Sequence, residues 1–221
     1  MSDSKIILAS SSPQRRVLLT RAGIRIAIVE PPGEMAPPPG MCADLAVQLI
    51  ARQKAVAVAE GASPGTFVIA ADTRVVGPHG SLGKPGTAER ARDMLLELRG
   101  RRHTVLTGVC VVVAGSEAEA LALSRSAVKM REVSDEEIAT YVAGGEPLDK
   151  AGAYAIQGGG SDFIEAVSGR VDTVIGLDVA LALRLLAEAG YPDPLPACTD
   201  TPLQPRQVRR ALVPMRAASR V

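Results

Sequence analysis

Apolar residues in the first 190 positions form short aliphatic runs, separated by stretches in which apolar residues recur at helical spacing. The runs predict strands at 5–9, 24–29, 67–71, 103–114, 120–133, 153–156, 162–167 and 171–175. The other stretches predict helices at 13–22, 43–60, 88–98, 134–143 and 178–189. Segments rich in proline or glycine predict loops at 30–40 and 77–86. This order of elements predicts an α/β fold, in which a large mixed sheet carries helices on its faces.

Two of these helices begin with recognisable capping residues. Ser12 is the predicted N-cap before Pro13, because proline is favoured at the first helical position. Ser134 and Glu137 have the spacing of a capping box. Both starts are therefore predicted from local hydrogen bonding as well as from periodicity.

The composition changes after residue 190. Residues 191–221 contain six prolines, and five arginines against two aspartates. We expect 1–190 to form one globular domain and 191–221 a flexible, basic tail, because such a segment buries little apolar surface. A short helix around 206–212 is the one regular element expected in the tail.

The overall composition limits the classes of function. Of 221 residues, 47% are hydrophobic and 22% are charged, as in ordinary globular proteins, and the formal net charge is +1. A near-neutral chain with three Tyr, two Phe and no Trp is not expected to bind nucleic acid stably. The three cysteines are widely spaced, so neither a disulfide framework nor a zinc site is expected. No apolar run is long enough for a membrane span and no signal peptide is visible, so we expect a cytoplasmic protein without membrane contact.

The first candidate functional segment is LASSSPQRR at 8–16, where a predicted strand is followed by three serines and a predicted helix. The N-terminus of a helix offers free N–H groups and a partial positive charge, and Arg15 and Arg16 lie in its first turn. A bound anion would satisfy these groups together. The alternative is a capped surface helix with solvated arginines.

The second segment is VIAADTRVV at 68–76, in which Asp72 and Thr73 follow four apolar residues. An unpaired carboxylate inside a buried strand costs several kcal/mol, so Asp72 should lie at a strand end or be coordinated. It could serve as a metal ligand or general base, or simply form a turn or a cap.

Further polar residues are scattered between the predicted elements. Lys54 lies on a helix, Lys84 in a glycine-rich loop and Glu34 in the proline-rich loop. Gln157 precedes a run of three glycines, which would let the backbone approach a ligand closely. Taken alone, Lys54 and Lys84 are better explained as solvated surface lysines, and Gln157 is equally well explained as a polar turn residue.

Ordered sequence blocks resemble the Maf family of nucleoside triphosphate pyrophosphatases over about residues 5–190. They are ILASSSPQRRVLLTRAGI at 7–24, IAADTRVV at 69–76, LGKP at 82–85, TGVCVV at 107–112, SDEEIATYVAGGEPLDKAGAYAIQGGGSDFIEAVSG at 134–169 and VIGL at 174–177. The resemblance implies hydrolysis of a nucleoside triphosphate to monophosphate and pyrophosphate, a divalent metal such as Mg²⁺ or Mn²⁺, and a cleft between two lobes. It also makes a homodimer plausible, because dimers are common among similar proteins.

The resemblance assigns roles by position. Asp72 would be the catalytic carboxylate and also a metal ligand, with Glu34 helping to hold the metal. The triphosphate would contact Ser10, Arg15, Lys54 and Lys84. Thr73 and Gln157 match the dTTP/UTP-type subgroup, whereas members that act on 7-methyl-GTP have Gln and Glu there.

The chain departs from the family pattern at a few places. The usual Ser-Pro-Arg-Arg reads Ser-Pro-Gln-Arg, so Gln14 replaces an arginine associated with specificity. Asp178 stands where a proline is usual and Met130 where a phenylalanine is usual. Two other functions remain open from the residues: a nucleotide-sensing regulator without catalysis, and a pyrophosphatase for another or modified nucleotide.

Overall fold

Within residues 6–33 and 36–196, the part of the chain that the computed structural model describes, seven strands form one mixed sheet. The strands are β1 (Ile6–Ala9), β2 (Ala27–Val29), β3 (Phe67–Gly77), β4 (Gly80–Leu82), β5 (Arg102–Val113), β6 (Glu119–Met130) and β7 (Ile164–Ser168). Their order is β2-β1-β3-β5-β6-β7, with β4 paired to the far end of β3. β1 is parallel to β2 and β3, and the other pairs are antiparallel.

Helices cover both faces of the sheet, which confirms the predicted fold class. They are α1 (Pro13–Arg21), α2 (Ala43–Ala59), α3 (Ala88–Leu98), α4 (Asp135–Ala143), α5 (Val171–Ile175) and α6 (Val179–Glu188). Short 3₁₀ segments occur at Glu146–Asp149, Ala151–Ala153 and Gly159–Phe163. No helix in the described ranges is both long and apolar enough to cross a bilayer.

The hydrophobic core is divided between two lobes that share the long strands β3 and β5. In the first lobe, α1 and α6 pack on one face of the sheet and α2 packs on the other. In the second lobe, α3 and α4 pack around the far ends of β3, β5 and β6. β3 passes from the first lobe at Ile69 to the second at Val75, so Asp72 lies where the lobes meet.

The backbone of α2 approaches the sheet closely at Gly108, the residue of β5 that pairs with Asp72. A Cβ atom on Gly108 would lie 2.5 Å from the carbonyl oxygen of Val47. The glycine therefore allows α2 to lie directly over the middle of β3, which brings Lys54 of α2 within reach of Asp72.

Two predicted boundaries around β3 are wrong. The strand does not stop before Asp72 but continues to Gly77, and the predicted loop at 77–86 contains β4, which pairs with the end of β3. A carboxylate is tolerated inside the strand because its side chain is partly exposed and paired with a lysine.

Two predicted strands are not strands. The predicted strand at 153–156 is irregular, because Gly152 and Ala153 both adopt positive φ angles, 69° and 60°, and turn the chain. The β-branched run at 171–175 forms the helix α5, in which Asp172 accepts from the backbone N–H of Thr173 and Val179. Tertiary packing buries both apolar segments without strand pairing and overrides their local preference.

Capping is observed at one of the two predicted helix starts. The Ser134 and Glu137 capping box of α4 is confirmed. Ser12 occupies the N-cap position of α1, but its hydroxyl donates to Gln14 Oε1 at 3.1 Å instead of capping. The amide groups at the start of α1 therefore keep their capacity to bind another acceptor.

The predicted tail begins in contact with the first lobe. The rings of Tyr191 and Phe67 meet edge to face with centroids 5.1 Å apart, and Leu195 also packs on this lobe. Residues 197–221, including Cys198 and the predicted helix at 206–212, lie outside the described residues.

His103 is buried in the second lobe beside Tyr154. Its Nε2 lies 2.8 Å from the Tyr154 hydroxyl, and its Nδ1 has no hydrogen-bond partner among the described residues. Burial lowers the pKa of His103 from 6.5 to about 4, because the charged ring would lose its hydration.

We expect His103 to make the folded state sensitive to acid. The unfolded chain binds a proton at His103 more readily, so this contribution to the free energy of unfolding is complete above pH 6.5 and is lost as the pH falls toward 4. The loss is about 3 kcal/mol at most. Urea denaturation at pH 7.5, 5.5 and 4.5 should show a flatter pH dependence for His103→Gln than for the wild type. The exposed His79 offers the control, and equal slopes for wild type and His103→Gln would contradict the expectation.

Candidate functional site

A cleft of about 750 Å³ opens between the two lobes, at the end of the parallel β1–β3 pair. β1 pairs with β3 only as far as Ala9, opposite Ala70, so the next residues of β3 present an unpaired edge to the cleft. The carboxyl ends of parallel strands are the usual ligand position in open α/β sheets. The volume is typical of sites that bind small organic molecules.

The predicted site residues that fall in the described ranges all line this cleft. They are Ser10, Gln14, Arg15, Lys54, Asp72, Thr73, Lys84 and Gln157. Glu34, the other predicted metal ligand, lies outside the described residues, although Glu30, Pro31 and Gly33 before it line the same cleft. Segments far apart in sequence are therefore brought together as the resemblance implies.

Basic side chains outnumber acidic ones around the cleft. The basic residues are Arg15, Lys54, Arg74, Lys84 and Lys150, and the acidic ones are Glu30, Asp72 and Asp149. Burial lowers the pKa of Lys54, and the positive charges of Arg15 and Lys84 lower it further, while Asp72 opposes both effects. These cations are close enough to repel one another, so the cleft favours a ligand that carries several negative charges.

The N-terminal end of α1 supplies one wall of the cleft. Arg15 is partly buried, and its guanidinium donates to the Gly176 carbonyl at 2.8 Å, to Ser10 Oγ at 3.2 Å and to Thr73 Oγ1 at 3.3 Å. Burial lowers the pKa of Arg15, and the carboxylate of Asp72 opposes this effect. Three neutral oxygen atoms thus hold the guanidinium in one orientation, and within 6–33 and 36–196 no carboxylate pairs with it directly. Arg16, the next residue, is exposed.

A row of buried hydroxyl groups fixes the Thr73 side chain. Thr107 Oγ1 donates its proton to the Thr173 carbonyl at 2.8 Å, and it lies 2.9 Å from Thr73 Oγ1. Thr107 has already used its one proton, and Thr73 Oγ1 also lies 3.3 Å from the Gly176 carbonyl, so the single proton of Thr73 is directed at Thr107 or at Gly176. Thr73 therefore offers lone pairs, and no proton, to Arg15 and to the cleft.

Asp178 explains one departure from the family pattern. Its carboxylate accepts from Ser124 Oγ at 2.7 Å, caps α6 through the N–H of Leu181 at 3.0 Å and lies 3.1 Å from Arg170 Nε. Ser124 in turn contacts Thr173 Oγ1 at 2.7 Å. The aspartate thus supports the hydroxyl row at its β6 end, through Ser124, a role that a proline could not perform.

Asp72 is the carboxylate in the middle of the cleft. Its Oδ1 accepts from Lys54 Nζ at 2.7 Å, and its Oδ2 lies 3.8 Å from Arg74 Nε. The side chains of Lys54 and Asp72 are 19% and 16% exposed. The carboxylate is therefore paired on one oxygen, while the other has no contact within hydrogen-bond distance among the described residues.

The described residues form no cluster of three or more His, Cys, Asp or Glu side chains that could enclose a metal ion. A single carboxylate beside a polyanion site is nevertheless compatible with Mg²⁺, which proteins often bind through one or two carboxylates together with substrate phosphates. Asp72, with Oδ2 open to the cleft, fits this type of site.

Gln157 lies at the opposite wall, in a turn where the N–H of Gly158 donates to the Ala155 carbonyl at 3.1 Å. From the sequence we expected the glycines that follow to let the backbone approach a ligand, but their Cα atoms approach protein side chains instead. A Cβ atom on Gly158 would lie 2.2 Å from Glu146 Oε1, and one on Gly160 would lie 2.9 Å from the Tyr141 hydroxyl oxygen. The close approach is to these two side chains, which pack behind the loop.

Sequence reasoning missed several residues of the site. Thr107 and Gly176 hold Thr73 and Arg15, and Arg74 lies beside Asp72. The hydroxyl of Thr107 in the apolar part of β5, from residue 105 onward, is a signal that could have found it, because a buried hydroxyl needs a partner. The Gly176 carbonyl carries no side-chain signal at all.

The fold and the cleft together define an α/β protein with a binding site for a small polyanion. The chain belongs to the Maf-like protein family, because the model of that family matches residues 5–189. This confirms the resemblance seen in the sequence blocks.

Individual relatives are similar over most of their length. The dTTP/UTP pyrophosphatase of Anaeromyxobacter dehalogenans is 46% identical over 195 residues, which cover 86% of this chain and 96% of the relative. That of Pelotomaculum thermopropionicum is 42% identical over 187 residues, which cover 85% and 97%. Among solved structures, the Staphylococcus aureus Ham1 protein is similar with a TM-score of 0.42 and 15% identity, over 57% of this chain and 72% of that one. A likeness this low carries no argument about function.

Proposed function

We propose that this protein hydrolyses dTTP and UTP to the nucleoside monophosphate and pyrophosphate. The observation that carries the proposal is the cleft in which Arg15, Lys54 and Lys84 surround one carboxylate, Asp72, beside the N-terminus of α1. Relatives that are 40–46% identical over most of the chain are named dTTP/UTP pyrophosphatases, which supports the same substrates.

In this proposal the triphosphate lies against α1. Ser10, Arg15, Lys54 and Lys84 bind the phosphate oxygens, together with free N–H groups in the first turn of the helix. Negative charge on the bridging and leaving oxygens grows as the bond between the α- and β-phosphates breaks. Arg15 and Lys54 are already oriented by their contacts, so they stabilise this charge without reorganising.

Asp72 is proposed to accept the proton of the water that attacks the α-phosphorus. The new P–O bond forms as the bond to the β-phosphate oxygen breaks, and pyrophosphate leaves with the electron pair. A divalent ion, Mg²⁺ or Mn²⁺, would be held by Asp72, by Glu34 and by the phosphates. Its contribution when bound is to neutralise phosphate charge and to acidify water. Lys54 holds Oδ1 of Asp72, which leaves Oδ2 for either task.

Base recognition is proposed to involve Gln157, Thr73 and Gln14. Thymine and uracil present N3–H as a donor and O4 as an acceptor, and a side-chain amide can meet both. An amide alone can also flip to suit cytosine. Thr73 offers only an acceptor, because its proton is directed at Thr107 or at the Gly176 carbonyl, and an acceptor near the base would favour N3–H over the bare N3 of cytosine.

We expect dTTP and UTP to have the highest kcat/KM in a panel with CTP, GTP and 7-methyl-GTP at one Mg²⁺ concentration. CTP should rank next, because Gln14 replaces the usual arginine, and purines should rank last because they are larger. Gln157→Glu should weaken the preference, since a carboxylate cannot donate to O4 and an unpaired polar group costs about 1–3 kcal/mol. Pyrophosphate release is the measurement. If GTP or 7-methyl-GTP exceeds dTTP and UTP, the proposed substrates are wrong even if the reaction is right.

A further inference from the structure

The turn that carries Gln157 is attached at both ends to two side chains of the α4 region. The backbone N–H of Ala155 donates to the Tyr141 hydroxyl at 3.1 Å, and the N–H of Gly159 donates to Glu146 Oε2 at 3.1 Å. The Tyr141 hydroxyl donates in turn to Glu146 Oε1 at 2.8 Å. We call Tyr141 and Glu146 the loop brace.

The proton arrangement in the loop brace is fully determined. Backbone N–H groups can only donate, so the Tyr141 oxygen accepts from Ala155. Its own proton then goes to Glu146. Burial raises the pKa of Tyr141 well above its ordinary value, so the hydroxyl keeps this proton at any working pH.

The shape of the glycine loop provides a second, independent observation. Added Cβ atoms on Gly158, Gly159 and Gly160 would lie 2.2 Å from Glu146, 3.1 Å from Tyr141 and 2.8 Å from the Ala155 nitrogen. All three glycines therefore face the loop brace or the turn itself. The run of glycines lets the loop close down on the loop brace, with Gln157 on the side of the cleft.

The Gln157 amide is partly exposed, so water can satisfy its hydrogen-bonding groups without help from the loop brace. What the loop brace supplies is a fixed backbone on both sides of Gln157. A side-chain amide can discriminate between bases only if its position is set to within a fraction of an ångström.

We propose that Tyr141 and Glu146 are positioning residues that set the location of Gln157 and thereby the selectivity for the nucleobase. This proposal rests on the proposed function, in which Gln157 contacts the base. It predicts an effect on discrimination between bases that does not extend to the phosphate half of the site, because the loop brace contacts neither Arg15 nor Asp72.

The test is a comparison of Tyr141→Phe with the wild type on UTP, CTP and GTP, with inorganic tripolyphosphate as a competitive ligand that has no base. We expect the ratio of kcat/KM for UTP over CTP, and for UTP over GTP, to fall at least about fivefold, as for one unpaired polar contact. The inhibition constant of tripolyphosphate should change less than about twofold. Glu146→Gln keeps an acceptor for Tyr141 but loses the acceptor for Gly159, so it should shift the same ratios if Tyr141→Phe does not fold.

Asp135→Asn is the matched control. It removes a carboxylate from the first turn of α4 that pairs with Arg92 and Arg99, and the hydrogen bonds and ion pairs of these three residues within 6–33 and 36–196 do not involve the glycine loop. It should lower the melting temperature and leave the selectivity ratios unchanged. Unchanged ratios in Tyr141→Phe and Glu146→Gln would overturn the proposal, and so would a parallel loss of tripolyphosphate binding.

Pyrophosphate release by the wild-type protein distinguishes a failure of this proposal from a failure of the proposed function. If the wild type releases no pyrophosphate from any nucleotide, the proposed function fails. The selectivity is then measured as the ratio of calorimetric Kd values for UTP, CTP and GTP in wild type and Tyr141→Phe. A ratio that falls in the variant still supports positioning by the loop brace, and an equal ratio in both proteins refutes it.

Discussion

Asp72→Asn is expected to lower kcat by about 10²- to 10⁴-fold, the range typical of a lost acid–base group. The amide keeps the shape of the carboxylate but can neither take a proton from water nor hold a metal ion by charge. The assay is pyrophosphate release from dTTP and UTP at saturating substrate and Mg²⁺. Retention of more than about a tenth of the wild-type kcat would exclude the proposed role.

The effect of Asp72→Asn on stability should be small and unfavourable. The carboxylate is the partner of Lys54, and Arg74, Arg15 and Lys84 add further positive charge nearby. Its neutralisation leaves these cations without their central anion, so the melting temperature should hold or fall slightly. Asp149→Asn is the control, because Asp149 also lines the cleft but pairs with its neighbour Lys150. A similar loss of kcat in this control would mean that any negative charge in the cleft has the same effect.

Arg15→Ala is expected to raise KM and to lower kcat, with a combined loss of about 10²-fold in kcat/KM, by analogy with the loss of one charge-stabilising donor. The reason is that Arg15 is the cation whose direction is fixed by three oxygen acceptors, on Ser10, Thr73 and Gly176. An oriented charge stabilises the transition state more than the ground state, because the phosphate charge grows as the bond breaks.

Two variants make the Arg15 result interpretable. Arg16→Ala removes an equal charge from the exposed side of the same helix, and we expect it to change kcat/KM by less than about threefold, as for a screened surface charge. Arg15→Lys keeps the charge but cannot reach all three acceptors with a planar fork, so it should recover KM more than kcat. Equal, small effects of Arg15→Ala and Arg16→Ala would contradict a directed anion site at α1.

Local chemistry allowed the sequence to predict most of the elements. The helical spacing of apolar residues over 88–98 predicted the observed α3 residue for residue, and the capping box predicted the start of α4. Both signals depend on contacts within about one turn of helix, so they are present in the sequence whatever the rest of the chain does. The candidate site residues were assigned through short blocks whose order matches one family, and those in the described ranges line the cleft.

Tertiary packing determined the structure of those segments that local sequence patterns predicted wrongly. The apolar segments at 153–156 and 171–175 have the composition of strands, yet one is a turn and the other is α5, because both bury their apolar side chains in the core of the second lobe without pairing with a strand. The free-energy cost of burying an unpaired carboxylate predicted that Asp72 lies at the end of a strand. It lies inside β3 because α2 crosses at Gly108 and brings Lys54 to within 2.7 Å.

The sequence by itself therefore determined the family, the alternation of strands and helices, and the types of side chain that line the cleft. Only the tertiary structure decided how these side chains are oriented. Thr73 is an acceptor toward the cleft because its proton is directed at Thr107 or at the Gly176 carbonyl, and the loop around Gln157 faces Tyr141 and Glu146. Such orientations depend on hydrogen bonds between residues far apart in the chain, and no local pattern of residue types encodes the direction of a proton.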